Sequence, residues 1–315
     1  MKKIIIGLFI FVVAVLLILF SIHWYFTKDI RVISEADRQN SSWSFAKTQS
    51  GITHYEIVGN DTSVLIVLLA GCGNGGFIFD SNIVNLKNAG FRVLRYDYYG
   101  RGLSDHPEDV IYTHEYYNTQ LLELLNYLNI KKPFHLVGVS MGGSVAIDFA
   151  DRYHHLVKSL TLIGPAALGN KPSALLKIPL LNTFMMNVYW ASKTEDQQLS
   201  EFKNPATFEK AYRQKIKDEA SIRNFTYAVQ SSWSNILNKR MTSELENIAK
   251  RKTPVLLLWG DSDPVVPLTL SRFYLKADPT IKFQIIKNAG HIANYENHEM
   301  TDSLIRNFTR TVNTH

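Results

Sequence analysis

The chain has 315 residues, of which 46% are hydrophobic and 20% charged, with a net charge of +6 and a sequence pI of about 9.1. This excludes a disordered or fibrous polypeptide and supplies enough apolar material for one large core, with α/β folds of this size often forming one domain with an insertion. The basic residues are scattered, with small clusters at Lys239-Arg240 and Lys250-Arg251-Lys252, so no basic stripe marks a nucleic-acid partner; the single cysteine, Cys72, excludes an internal disulfide framework, and no His pair or Cys cluster has metal-ligand spacing.

Residues 4–20 carry no charge and almost no polarity, and Trp24 and Tyr25 follow where an interfacial aromatic belt would lie. A run of roughly 20 apolar residues spans a bilayer as a helix, whereas a secretory signal has a core of about 7–15 residues and a small-x-small cleavage site. Residues 1–26 are therefore expected to form an uncleaved transmembrane anchor. Lys2 and Lys3 precede the apolar span and Lys28 and Arg31 follow it. With so short an N-terminal flank, the remainder of the chain is expected outside the cytoplasm. Residues 27–50 are polar and read as a linker or irregular lead-in.

Strands are predicted at 52–58 and 64–69, the second ending in the glycine-rich loop Ala70-Gly71-Cys72-Gly73-Asn74-Gly75-Gly76. That loop lacks the Lys-Ser/Thr of a phosphate-binding P-loop and does not fit a dinucleotide-binding G-x-G-x-x-G, so no nucleotide cofactor is expected. A strand follows at 91–96, then the segment Asp97–Asp105, which is read as structural, with Asp97 and Arg101 tying a turn. A helix is predicted over 114–129 from Leu121, Leu124, Leu125 and Leu128 on one face, with Thr113 as N-cap. The apolar run 134–137 then leads into Gly138-Val139-Ser140-Met141-Gly142 and the small residues Gly143-Ser144-Val145-Ala146.

Strand, G-x-S-x-G, helix is the setting of a nucleophile elbow, in which a sharp turn lifts the serine hydroxyl out of the sheet. A serine hydroxyl needs a base within hydrogen-bond reach and a third group to orient that base. Both follow in the order such a fold requires, serine, acid, histidine. The strand 255–259 runs into Gly260-Asp261-Ser262-Asp263-Pro264, and the strand 283–286 runs into Asn288-Ala289-Gly290-His291. Between them the strand–helix alternation stops: residues 166–253 read as helices and loops, with an apolar stretch at 174–190 that includes Leu175, Leu176, Ile178, Met185, Met186 and Trp190. The remaining alternation, over 51–165 and 254–315, implies a mostly parallel sheet with right-handed crossovers flanked by helices.

With these motifs in this order, including the D-x-x-G-x-G-x-S pattern of Asp97-Tyr98-Tyr99-Gly100-Arg101-Gly102-Leu103-Ser104, the chain resembles the α/β-hydrolase superfamily of serine esterases and lipases, and within it the monoacylglycerol-lipase-like members, over roughly 45–312. The resemblance implies the α/β-hydrolase fold with a helical cap or lid inserted before the acid strand. It implies Ser140 as nucleophile, His291 as general base and, from the family's G-x-x-D pattern, Asp263 as the acid, with Asp261 the alternative. The oxyanion hole would use the N–H of Met141 and, by resemblance, that of Cys72, although Ala70-Gly71 replaces the family's usual His-Gly. No metal and no cofactor is implied. The expected reaction is hydrolysis of a carboxylic ester through an acyl-enzyme, on a lipid-like substrate such as a monoacylglycerol. The same triad also serves amide and C–C bond hydrolysis, and a membrane-tethered, non-catalytic binding protein could share the fold. Dehalogenase and epoxide-hydrolase chemistry needs a carboxylate where this chain has Ser140.

Overall fold

The computed structural model describes residues 2–28, 30–169 and 191–314; the apolar stretch at 174–190 lies outside the described residues. Eight strands form one sheet: β1 (Ser44–Lys47), β2 (Ile52–Val58), β3 (Leu65–Leu69), β4 (Arg92–Tyr96), β5 (Phe134–Val139), β6 (Val157–Ile163), β7 (Val255–Gly260) and β8 (Lys282–Ile286). Their spatial order is β1-β2-β4-β3-β5-β6-β7-β8. β2 pairs antiparallel with both β1 and β4, and every later pairing is parallel.

The central strands β3 and β7 are apolar throughout, and β5 and β6 mainly so, because both faces are covered. Their side chains alternate between two cores. Leu65, Val67 and Leu69 of β3 join one cluster, and Ile66 and Leu68 join the other. Burial of each such side chain contributes roughly 1.5–3 kcal/mol. The first face packs against α4 (His114–Tyr127), α5 (Met141–Arg152), α9 (Thr242–Lys250) and α10 (Ser271–Ala277). The second packs against α3 (Asp80–Asn88) and α11 (His298–Asn313), through Ile83, Leu86, Ile305 and Phe308. Thr113 caps α4, its hydroxyl accepting from Tyr116 N at 3.2 Å.

Residues 27–50 are not the linker expected. A capping box formed by Ser34 and Asp37 starts the short helix α2 (Glu35–Gln39), and β1 pairs with β2 from Ser44↔Tyr55 to Lys47↔Ile52. β1 is a four-residue edge strand with one buried residue, Ala46, so it has too little alternation to announce itself.

α1 (Lys2–Thr27) is long and apolar enough to cross a membrane, and none of Ile4–Ile22 is buried against the protein. Three residues beyond Lys28, Arg31 forms a parallel bridge with Ile222: Arg31 N donates to Ser221 O and Arg223 N donates to Arg31 O, both at 2.8 Å. Residues 221–223 belong to the insertion between β6 and β7. Its described helices are α6 (Ala191–Leu199), α7 (Pro205–Ala220), α8 (Phe225–Ser232) and α9, with a π-helical turn at Trp233–Leu237 extending α8.

Candidate active site

β5 ends at Val139 and α5 begins at Met141, so Ser140 must turn the chain within one residue. It does so at φ 53°, ψ −117°, a region that costs an L-residue on the order of 1–3 kcal/mol and persists only where the surroundings enforce it. They do here. Ser140 N donates to Ile163 O at 2.9 Å, and Ser140 O accepts from Gly143 N and Ala166 N, each at 3.0 Å. A Cβ on Gly142 would lie 2.5 Å from Ala70 O and would overlap Leu69 O, so glycine is what lets α5 start against the end of β3.

β7 and β8 deliver the other two groups. Asp263 Oδ1 accepts from Val265 N and Val266 N, both at 2.9 Å, and Oδ2 lies 2.8 Å from His291 Nδ1. An ionised carboxylate only accepts, so the proton sits on Nδ1 and the Nε2 lone pair is free. Both side chains are essentially inaccessible. Burial pushes the His291 pKa down, but the hydrogen bond and charge of Asp263, and the charge of Glu201, outweigh it and leave it raised above 6.5. Asp261 is turned elsewhere: its carboxylate meets Ser262 Oγ at 3.0 Å and Lys203 Nζ at 3.5 Å. Between the two candidate acids, the structure brings Asp263 to His291. Gly164, just past β6 at φ +49°, passes directly over this pair; a Cβ there would sit 3.1 Å from Asp263 Oδ2 and 3.3 Å from His291 Nδ1.

Ser140, His291, Cys72 and Gly71 line one cavity of about 240 Å³, closed on the insertion side by Gln198, Glu201, Val229 and Trp233. It lies at the C-terminal ends of the parallel strands, where open α/β sheets hold their ligands. A larger hollow of about 470 Å³ opens at the opposite strand ends, around Leu65, Arg92 and Lys158. Met141 is the first residue of α5, so its N–H has no intrahelical partner. Cys72 belongs to the glycine-rich loop that crosses the cavity, and burial raises its thiol pKa.

That loop is gripped at five successive residues. Arg101 Nε donates to Cys72 O at 2.6 Å, Gln198 Nε2 to Gly73 O at 2.9 Å, and Tyr212 OH to Asn74 Oδ1 at 2.6 Å. Gly75 N donates to Glu219 Oε2 at 3.0 Å and Gly76 N to Asp97 Oδ1 at 2.7 Å. The expected structural work of Asp97 and Arg101 is thus directed at the loop, with Asp97 Oδ2 also 2.6 Å from His54 Nδ1. Burial, and then the charge of Asp97, raise the Glu219 pKa well above the usual carboxyl range. Gln198, Tyr212 and Glu219 come from the insertion and carry no motif that sequence reading could have found. His135 of β5 is buried, its two ring nitrogens 2.6 Å from Ser159 Oγ and 2.8 Å from Asn313 Nδ2.

Among known proteins, the family model described as alpha/beta hydrolase fold matches residues 64–298. The chain belongs to the α/β-hydrolase family. This α/β-hydrolase is 26% identical over 305 residues to a 2-hydroxy-6-oxononadienedioate/2-hydroxy-6-oxononatrienedioate hydrolase of Cupriavidus pinatubonensis, covering 89% of this chain and 98% of that one. It is 28% identical over 202 residues to the mouse (Mus musculus) monoacylglycerol lipase ABHD6, covering 58% of this chain and 56% of that one. The enol-lactonase of Burkholderia xenovorans LB400 shares the fold at a TM-score of 0.73 and 23% identity, over 84% of this chain and 99% of that one.

Proposed function

We propose that this α/β-hydrolase cleaves carboxylic esters, with Ser140, His291 and Asp263 as its triad and lipid-like esters such as monoacylglycerols as its substrates. One observation carries the reading: a strained serine on a tight elbow opens into the same cavity as a histidine whose Nε2 is free because Asp263 holds Nδ1. In this reading Ser140 Oγ attacks the ester carbonyl while its proton passes to His291 Nε2. The Met141 and Cys72 N–H groups hold the oxyanion. Collapse expels the alcohol, which takes the proton from His291, and leaves an acyl-enzyme. Water then attacks that ester, giving its proton to His291 and returning it to Ser140 as the acid leaves.

The choice of ester over C–C chemistry rests on the cavity wall. The C. pinatubonensis relative is named for a dioate, a dianion at neutral pH. Among the described residues, no lysine or arginine lines this cavity, and Val229, Trp233, Leu237 and Val265 make its wall apolar. That wall suits a neutral acyl chain. The longer match to the dioate hydrolase supports the second reading, C–C cleavage with the same triad. Further parts of the proposal are that α1 is a membrane anchor with the hydrolase domain extracytoplasmic, that 166–253 act as a cap over the acyl pocket, and that no nucleic acid or cofactor takes part.

The test is turnover of 4-nitrophenyl esters of increasing chain length by the full chain in detergent. Serine-dependent hydrolysis is expected, with a loss on the order of 10³-fold or more in Ser140→Ala. Absence of ester turnover, with Ser140 still labelled by a fluorophosphonate, would move the assignment to C–C or amide chemistry.

A further inference from the structure

Glu201 brings a second carboxyl into the cavity, and the elements that place His291 also place it. His291 N donates to Glu201 O at 2.7 Å. A Cβ on Gly290 would overlap that same carbonyl and would lie 2.8 Å from Lys203 N, so glycine is what lets the two loops touch. Glu296 then stitches them together, accepting from Gly290 N at 2.6 Å, Asn204 N at 2.7 Å and Lys203 N at 3.1 Å. The turn bearing Glu201 is therefore fastened to the histidine loop and cannot drift from it.

We propose, on the ester-hydrolase reading above, that Glu201 is a specificity determinant, whose carboxyl accommodates uncharged, hydroxyl-bearing substrates and turns away substrates that carry a carboxylate near the scissile ester. Glu201 lines the cavity with Ser140 and His291. It is half-buried by area because the cavity opens on it, while protein packs around it on its other sides. Among the described residues no side chain or backbone N–H donates a hydrogen bond to its carboxyl, in contrast to Asp263, which is held by two N–H groups and His291. The titratable groups facing it are His291 and Asp263 from the core loops, Cys72 from the glycine-rich loop and Tyr212 from α7. Burial pushes its pKa up to about 7, with the charge of Asp263 adding to the rise and that of His291 opposing it. Near neutral pH the group thus changes between a neutral hydrogen-bond donor and an anion. A carboxylate on the substrate is repelled by the anion and, in a cavity with no described cation, finds no partner.

Two matched pairs of esters test this: 4-nitrophenyl valerate against mono-4-nitrophenyl glutarate, with the charge on the acyl side, and 4-acetylphenyl butyrate against 4-carboxyphenyl butyrate, with the charge on the alcohol side. kcat/KM is measured from pH 6 to 8 for the wild type, Glu201→Gln and Glu201→Asp. In at least one pair the wild type should prefer the neutral ester by roughly ten- to a hundredfold at pH 8, and less at pH 6. Glu201→Gln should lose at least tenfold of that preference together with its pH dependence, and Glu201→Asp should keep both. Ser140 labelling by a fluorophosphonate in each variant reports an intact fold and nucleophile. Unchanged discrimination in a labelled Glu201→Gln would overturn the role of Glu201 alone. A wild type that hydrolyses none of the four esters would overturn the ester reading and this inference with it.

Discussion

At the scale of single residues, the Asp263–His291 contact sets both rate and pH dependence in the proposed mechanism. Asp263 is what raises the His291 pKa against burial. The base works only when neutral, so activity should fall as pH drops through that raised value, placing the acid limb of kcat/KM above pH 6.5. Asp263→Asn removes the two contributions from Asp263 and leaves burial opposed only by the charge of Glu201, so the limb should move to lower pH while kcat falls by about 10³–10⁴-fold. Asp261→Asn should change kcat less than about threefold, because its partners are Ser262 and Lys203; steady-state profiles of the two variants decide the matter, and the reverse ranking would transfer the acid role to Asp261. The contact was legible in the sequence because each partner closes an apolar strand inside a short local motif. Glu201 was not legible. It sits in a turn of the insertion, and its nearness to His291 exists only because Gly290 and Glu296 bring two distant segments together.

At the scale of elements, the glycine-rich loop depends on side chains from both the core and the insertion. Tyr212→Phe removes the donor to Asn74, and Gln198→Ala removes the donor to Gly73. Each should leave the fold intact, costing on the order of 1 kcal/mol. Together they should lower kcat by about tenfold with a smaller change in KM, since in the proposed mechanism a loosened loop would hold the oxyanion less well than the bound ester. Equal changes in kcat and KM, or none, would detach these residues from the oxyanion loop's function. The strands were legible because β3 and β7 are apolar runs and β5 and β6 mainly apolar ones, all four buried along nearly their whole length. β1 was not, being four residues long with exposed Ser44 and Lys47 at its ends. The grip of α6 and α7 on the loop was also out of reach: Tyr212 and Asn74 are 138 residues apart, and no periodicity encodes so distant a pairing.

At the scale of the whole molecule, histidines buried without charge oppose folding in acid. Burial drives the pKa values of His106, His114 and His135 down to about 4. Their folded values lie below the unfolded value of about 6.5, so the unfolded chain binds more protons across that interval and stability falls as pH is lowered from about 6.5 to about 4. Glu201 and Glu219 act in the opposite sense, since their raised pKa values favour the folded state at low pH and weaken it as pH rises, for Glu201 towards 7. The three histidines make the urea midpoint rise more with pH between about 4 and 6.5 than it otherwise would, and His135→Asn should flatten that slope. An unchanged slope in the variant would show that His135 titrates no differently in the folded and unfolded chains.

The bridge between Arg31 and Ile222 gives α1 a mechanical role that its hydrophobicity alone does not suggest. Three residues separate the end of α1 at Thr27 from Arg31, and the four steps between them reach at most about 14 Å when fully extended. The chain beyond α1 is fastened first to the α7–α8 turn, and it enters the sheet only at Ser44. α7 and α8 supply Tyr212 and Glu219 to the loop and Val229 to the cavity. The polypeptide leaving α1 thus meets the insertion that lines the cavity before it meets the eight-stranded sheet, so a displacement of α1 would reach residues 221–223 first.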